Sequence, residues 1–212
     1  MEIYTPAAYH KPHPCWLPMI PTEETLKAHI EKLDLYIVSH GGVGSVYLTE
    51  YLESKGVNVR NNNVHRLWGY AAHYPYQLSE NTPTLYVYGD IKNSLISQYK
   101  RDWLAGNARK MHFGIKKEKI DTLKHFLDTF PSDPIGVWGQ YHNWENAKNT
   151  LRIKYPWTKK DIKDALSQFS IEVFLDDFEI KRRETDDSYV VTDPVLAKIL
   201  SVYKGFPPAS HD

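Results

Sequence analysis

The sequence predicts a single α/β domain built around a mainly parallel central sheet. Three observations carry that prediction. An apolar run at 35–38 feeds a glycine-rich turn at 40–45, which opens into a helical pattern over 46–55 closed by Gly56. A second, near-continuous apolar run at 84–88 ends at Gly89-Asp90 and is followed by another helical pattern. A third run alternates Leu151, Ile153 and Tyr155 ahead of a helix start at Thr158. Strands that are each followed by a helix, and that are apolar on both faces, belong to parallel sheets covered by helices.

Taken in order, residues 1–21 hold five prolines and little periodicity, which predicts an extended arm preceding a domain over 22–212. Thr22 followed by Glu23 and Glu24 is a helix start, with a hydroxyl to cap the first N–H groups and acids facing the helix dipole. That helix is expected to end near Leu33. After the strand, turn and helix of 35–55, the short run at 57–59 is expected to form another strand. Residues 60–83 read as irregular, being rich in Asn, His and X-Pro pairs. Helical patterns follow over 91–104, 117–130 and 135–149; the second places Ile120, Leu123, Phe126 and Leu127 on one face. Helices are also expected over 158–169 and from Asp193-Pro194 to Tyr203. There are no internal repeats or low-complexity segments.

The 212 residues suffice for a substantial core without disulfide staples. Lys plus Arg and Asp plus Glu number 26 each, so no global field draws the chain to nucleic acid or to a membrane surface. No apolar stretch approaches the roughly 20 residues needed to span a bilayer. The N-terminal residues do not read as a secretory signal. The single cysteine, Cys15, excludes an internal disulfide framework and suits a reducing, cytoplasmic setting. His10, His13 and Cys15 cluster, but prolines interleave them and no fourth ligand is suitably spaced, so no metal is expected.

The chemistry concentrates in the turn His40, Gly41, Gly42, Val43, Gly44, Ser45. A strand-to-helix turn of this kind aims backbone N–H groups and the positive end of a helix dipole at one point, which suits an anion. The glycines let backbone approach that anion and adopt positive φ. The Gly-Lys-Ser/Thr of a Walker loop is absent, and Tyr47 stands where a dinucleotide fingerprint has its third glycine.

The arrangement resembles the sulfotransferase family, a P-loop-like three-layer sandwich. The turn is similar to the loop that holds the 5′-phosphosulfate of the donor, implying contacts from Gly41, Gly42, Val43, Gly44, Ser45 and Val46. Asp90 and Ser97 keep the spacing of the element that holds the donor's 3′-phosphate. Ala72-His73-Tyr74-Pro75 is similar to the Thr-His-Leu-Pro segment of cytosolic members, whose His is the catalytic base. Residues 141–144 and 151–155 resemble the family's Trp-bearing helix and the strand ending in Tyr. The resemblance implies 3′-phosphoadenosine 5′-phosphosulfate as co-substrate and a hydroxyl on a small molecule or glycan as acceptor.

Two cations depart from that pattern. The loop lacks the usual Lys or Arg, and Gly89 and Ile91 replace the Arg and Pro that normally flank Asp90. Candidate replacements are His40, Lys92, Arg101 and the cluster Lys181, Arg182 and Arg183. Sulfuryl transfer needs an acceptor base and a cation for the leaving phosphate. His73 is the first candidate base, with His65 and then Glu50 behind it; His40, protonated if bound phosphate raises its pKa, is the candidate cation in the loop. Two other readings stay open: a sulfotransferase-like module that binds a nucleotide, glycan or protein without catalysis, and a Rossmann-type domain binding a dinucleotide or adenylate, suggested by likeness to the Gly-Gly-x-Gly-Ser turn of ubiquitin-activating-like enzymes.

Overall fold

The computed structural model describes residues 20–61, 65–114, 120–179 and 191–206. Its strands are β1 (Tyr36–Ser39), β2 (Thr84–Gly89) and β3 (Thr150–Tyr155). Its helices are α1 (Glu23–Ile30), α2 (Ser45–Ser54), α3 (His65–Ala71), α4 (Ile91–Tyr99), α5 (Leu104–Met111), α6 (Leu123–Thr129), α7 (Val137–Glu145), α8 (Lys159–Gln168) and α9 (Pro194–Val202). The strands form one parallel sheet in the order β1-β2-β3, with Tyr36 opposite Thr84 and Thr84 opposite Thr150. The fold is thus α/β with an all-parallel sheet among the described residues, as the strand–helix alternation predicts.

Strand alternation sends side chains to two separate cores. Tyr36, Val38 and Tyr86 pack with residues of α1, α4, α5, α6, α7 and α9. Leu35, Ile37, Leu85, Val87 and Ile153 pack with Leu48 and Leu52 of α2 and Ile162, Ala165 and Leu166 of α8. The first core is aromatic: the Tyr86 ring stacks on Trp144, and Tyr36 meets the same indole edge-on. These rings therefore serve the core.

Local signals set the helix starts. Thr22 Oγ1 accepts from the N–H of Thr25 at 3.2 Å. Thr158 and Asp161 cap reciprocally: Asp161 Oδ2 accepts from the Thr158 N–H, and Thr158 Oγ1 from the Asp161 N–H. Asp193 Oδ1 accepts from the N–H groups of Val195 and Leu196.

Several expectations need correction. The helix expected over 117–130 begins only at Leu123, capped by the extended Thr122, so Ile120 packs in the core from outside α6. Residues 57–59 are not a strand. Val57 and Val59 are buried against Leu35 and Ile37, but Asn58 clips the head of β1 instead of extending a ladder. Asp34 N–H donates to Asn58 O, and Asn58 N–H donates to Asp34 Oδ2. The stretch 60–83 contains α3. The helix expected over 91–104 stops at Tyr99, because Asp102 adopts a left-handed backbone (φ 58°) and a new helix, α5, begins at Leu104. The arm, apart from Met19-adjacent residues 20 and 21, lies outside the described residues, as do Lys181, Arg182 and Arg183, and with them His10, His13 and Cys15. No helix among the described residues is long and apolar enough to cross a membrane.

Candidate functional site

The carboxyl ends of all three strands converge on the glycine-rich turn. Gly41, Gly42 and Gly44 all have positive φ, at 88°, 69° and 74°. The packing there is close: a Cβ on Gly42 would lie 2.8 Å from Ser94 O and Oγ, and one on Gly44 would lie 2.8 Å from the Trp157 ring. The glycines therefore fit the turn beneath α4 and against the end of β3, independently of any ligand. Val43 is buried and packs toward Gly89.

The turn still leaves backbone donors free. Gly41 N–H donates to Ser39 Oγ, and Ser39 Oγ lies 2.8 Å from Ser45 Oγ. Among the described residues, no acceptor takes the N–H of Gly42, Val43, Gly44, Ser45 or Val46. Gly44 caps α2 without a side-chain bond. Unsatisfied N–H groups at a helix start favour an anion.

Two histidines flank these donors. His73 follows α3, where Ser39 N–H donates to Ala72 O and ties that segment to the end of β1. His73 Nδ1 lies 2.8 Å from Ser39 O. A carbonyl only accepts, so Nδ1 carries the proton and Nε2 keeps its lone pair. Gln140 of α7 holds the same junction, its Nε2 donating to Ser39 O at 3.4 Å and to Tyr74 O at 3.2 Å, while Trp144 Nε1 donates to Tyr74 O. Burial, then the charge of Lys110, pulls the His73 imidazole down to about 3, against a smaller upward pull from Ser39 O.

His40 is fully buried. Ser94 Oγ donates to Gly41 O at 2.6 Å and lies 3.1 Å from His40 Nδ1. The single hydroxyl proton is spent on Gly41 O, so His40 Nδ1 donates to Ser94 and Nε2 is bare. That Nε2 is buried without a partner. Burial pulls the ring down to about 4, partly offset by Gly41. Without an anion beside it, His40 is held neutral by burial and presents an acceptor; the role of loop cation would need a bound phosphate to raise its value.

The remaining candidates are scattered. Glu50 is exposed on α2 and pairs with Arg60 Nη2 at 3.5 Å, a contact that takes it away from the turn. Lys92 is exposed on the first turn of α4. Arg101 Nη2 donates to Ser97 Oγ, and the guanidinium lies over the Trp103 ring. His65 opens α3, and its side chain lies outside the described residues. Gly89 is closely packed: a Cβ there would lie 3.1 Å from Tyr155 Cβ and 3.2 Å from Val43 Cγ1, so the Arg of the family pattern would fit only if those neighbours moved by a few tenths of an ångström.

Four residues at the turn escape a reading of the sequence. Ser94 and Gln98 face it from α4, Gln98 Nε2 donating to His40 O at 3.2 Å. Asn107 Nδ2 donates to Gln98 Oε1, and Lys110 Nζ donates to Asn107 Oδ1. The i, i+4 spacing of Ser94 and Gln98 is visible in the sequence, but nothing in it marks which face of α4 meets the turn. A separate depression of about 400 Å³ beside α8, lined by Lys163, Ser170 and Glu172 among others, shares no residue with this site.

Comparison with protein-family models, curated proteins and solved structures finds no match.

Proposed function

We propose that the protein is a sulfotransferase-like enzyme with a P-loop-like three-layer α/β architecture. It would move a sulfuryl group from 3′-phosphoadenosine 5′-phosphosulfate to a hydroxyl of a small molecule or glycan. The observation that carries this reading is the pairing of free backbone donors at Gly42–Ser45 with an imidazole whose tautomer is fixed by Ser39 O. The first suits the 5′-phosphate end of the donor, and the second suits removal of the acceptor proton.

The parts take distinct roles. The N–H groups of the turn and the α2 dipole orient the donor phosphate. The bare Nε2 of His73 accepts the acceptor proton. Ser39 O and Gln140 hold the ring and its loop in place. Ser97 and Arg101, already joined by a hydrogen bond, offer a hydroxyl and a guanidinium to a 3′-phosphate. Buried His40 offers Nε2 as an acceptor, or as a site for a proton drawn in by bound phosphate.

One observation favours the non-catalytic alternative: the turn carries no Lys or Arg, and Gly89 stands where the family pattern has Arg. A dinucleotide-binding reading needs a strand after α2 to carry a ribose-binding carboxylate, whereas residues 57–59 are irregular. The deciding experiment incubates the protein with the sulfonucleotide and a panel of hydroxyl acceptors and measures release of adenosine 3′,5′-bisphosphate. Acceptor-dependent release that His73→Ala abolishes supports the enzyme. Binding of the bisphosphate without any release, across the panel, supports the binding module.

A further inference from the structure

We propose that Lys110 of α5 supplies the positive charge that the glycine-rich turn lacks, neutralising the phosphate oxygen that departs during transfer. The inference rests on the sulfonucleotide reading and adds to it a residue from outside the turn.

Three features of Lys110 point this way. Lys110 is half-buried, and desolvation holds its amine down at about 8. Among the described residues no carboxylate pairs with it; its hydrogen-bond acceptor is the neutral Asn107 Oδ1 at 3.2 Å. A partly desolvated cation without a counter-charge favours an anion beside it.

The place fits that anion. Asn107, which holds Lys110, also contacts Gln98, and Gln98 holds His40 O at the start of the turn. A Cβ on Gly41 would lie 3.2 Å from Asn107 Nδ2. Lys110 thus stands one amide group behind Gly41. Its charge also reaches His73, whose imidazole it helps to keep unprotonated. The titratable group that feels its charge, His73, is neutral.

In the step this serves, the acceptor oxygen bonds to sulfur, and the bond from sulfur to the bridging phosphate oxygen breaks. The electron pair of that bond stays on the phosphate oxygen, where Lys110 balances it. The acceptor proton passes to His73 Nε2. A cation near the leaving oxygen and a neutral base near the acceptor are both required; Lys110 supplies the first, and its charge keeps His73 unprotonated at the cost of some basicity.

Calorimetric titration of the full chain with adenosine 3′,5′-bisphosphate, at several pH values between 6.5 and 9.5, tests this. The parent is expected to bind, with affinity falling as pH rises above about 8. Lys110→Met should weaken binding at least tenfold and flatten the pH profile, while Lys110→Arg should restore most of the affinity. Lys110→Met should also melt at the same or a higher temperature, because it removes a partly desolvated, uncompensated charge. Parent-like affinity and pH profile in Lys110→Met overturns the assignment of Lys110 alone. Absence of binding by the parent overturns the sulfonucleotide reading itself, and this assignment with it.

Discussion

His73 Nδ1 donates to the carbonyl oxygen of Ser39 across 2.8 Å, so the end of β1 dictates which ring nitrogen of His73 is basic. The junction is reinforced from α7, since Gln140 donates both to Ser39 O and to Tyr74 O. Strand, loop and helix thus combine to present one lone pair beside the glycine-rich turn.

His73→Ala is expected to reduce transfer by about 10²–10⁴, the usual contribution of a positioned base, and to leave nucleotide affinity unchanged. The pH dependence is specific. Burial and Lys110 hold His73 at about 3 in the free protein. The imidazole is therefore already neutral at ordinary pH, and kcat/KM, which reports the free enzyme, should not fall as pH drops from 8 to 5.5. An acid limb near 6.5 in kcat/KM would contradict a desolvated His73 base.

Gly44 should tolerate no side chain. Its φ of 74° strains any L residue, and a Cβ would lie 2.8 Å from Trp157. Gly56 has φ 87° with nothing within 4 Å of its Cβ position. Gly56→Ala is thus expected to lose only the strain, about 1–2 kcal/mol, whereas Gly44→Ala adds overpacking of about 1–3 kcal/mol. Urea denaturation of the two variants checks this; equal losses would mean that the Trp157 contact yields freely. Loss of nucleotide binding in a Gly44 variant would consequently say little about the ligand. Ser45→Ala, which removes only the hydroxyl beside Ser39 Oγ, probes the turn more cleanly.

Ser97 and Arg101 are expected to recognise a second phosphate. Their mutual hydrogen bond, and the Trp103 ring under the guanidinium, already fix the donors in place. Arg101→Ala should lower affinity for adenosine 3′,5′-bisphosphate by more than tenfold, about 1.4 kcal/mol, with little change for adenosine 5′-phosphate. Equal affinity of the parent for the two nucleotides would remove the 3′-phosphate pocket from the proposal.

What sequence reveals here follows the range of the forces involved. The starts of α1, α8 and α9 are legible because Thr22, Thr158 and Asp193 bond to N–H groups two or three residues away. β1 and β2 are legible because both of their faces are buried, and β3 because Leu151, Ile153 and Tyr155 alternate with the exposed Arg152 and Lys154. Helix α3 is not, because it is short and held by distant groups: Tyr36 Oη donates to Ala71 O, and Arg60 lies over Trp68. The 57–59 run misleads because burial of alternate valines looks the same whether or not a ladder forms. In the site, the turn and His73 are legible as residue types in context. Lys110 is hidden because it depends on the break at Asp102, which turns α5 so that Asn107 meets Gln98.

Acid should destabilise the fold through His40. The residue is fully exposed to solvent only after unfolding, where its ordinary value is near 6.5; burial lowers it to about 4 in the native state. Between those values the unfolded chain binds the additional proton, so stability falls as pH falls. The stabilisation is complete above about pH 6.5 and is lost as pH drops through 4. For this shift the loss by pH 4 is roughly 3 kcal/mol. His29, buried in α1 with both ring nitrogens unpartnered and also lowered by burial, acts in the same direction. His40→Asn removes the titrating ring and keeps an amide able to donate to Ser94. Denaturant titrations at pH 7 and pH 4 should therefore show a smaller acid loss in His40→Asn than in the parent, by roughly 3 kcal/mol. An identical loss in both proteins would mean that His40 is hydrated in the native state. Bound bisphosphate should reduce the parent's acid loss further, because an anion beside His40 raises its native value toward 6.5.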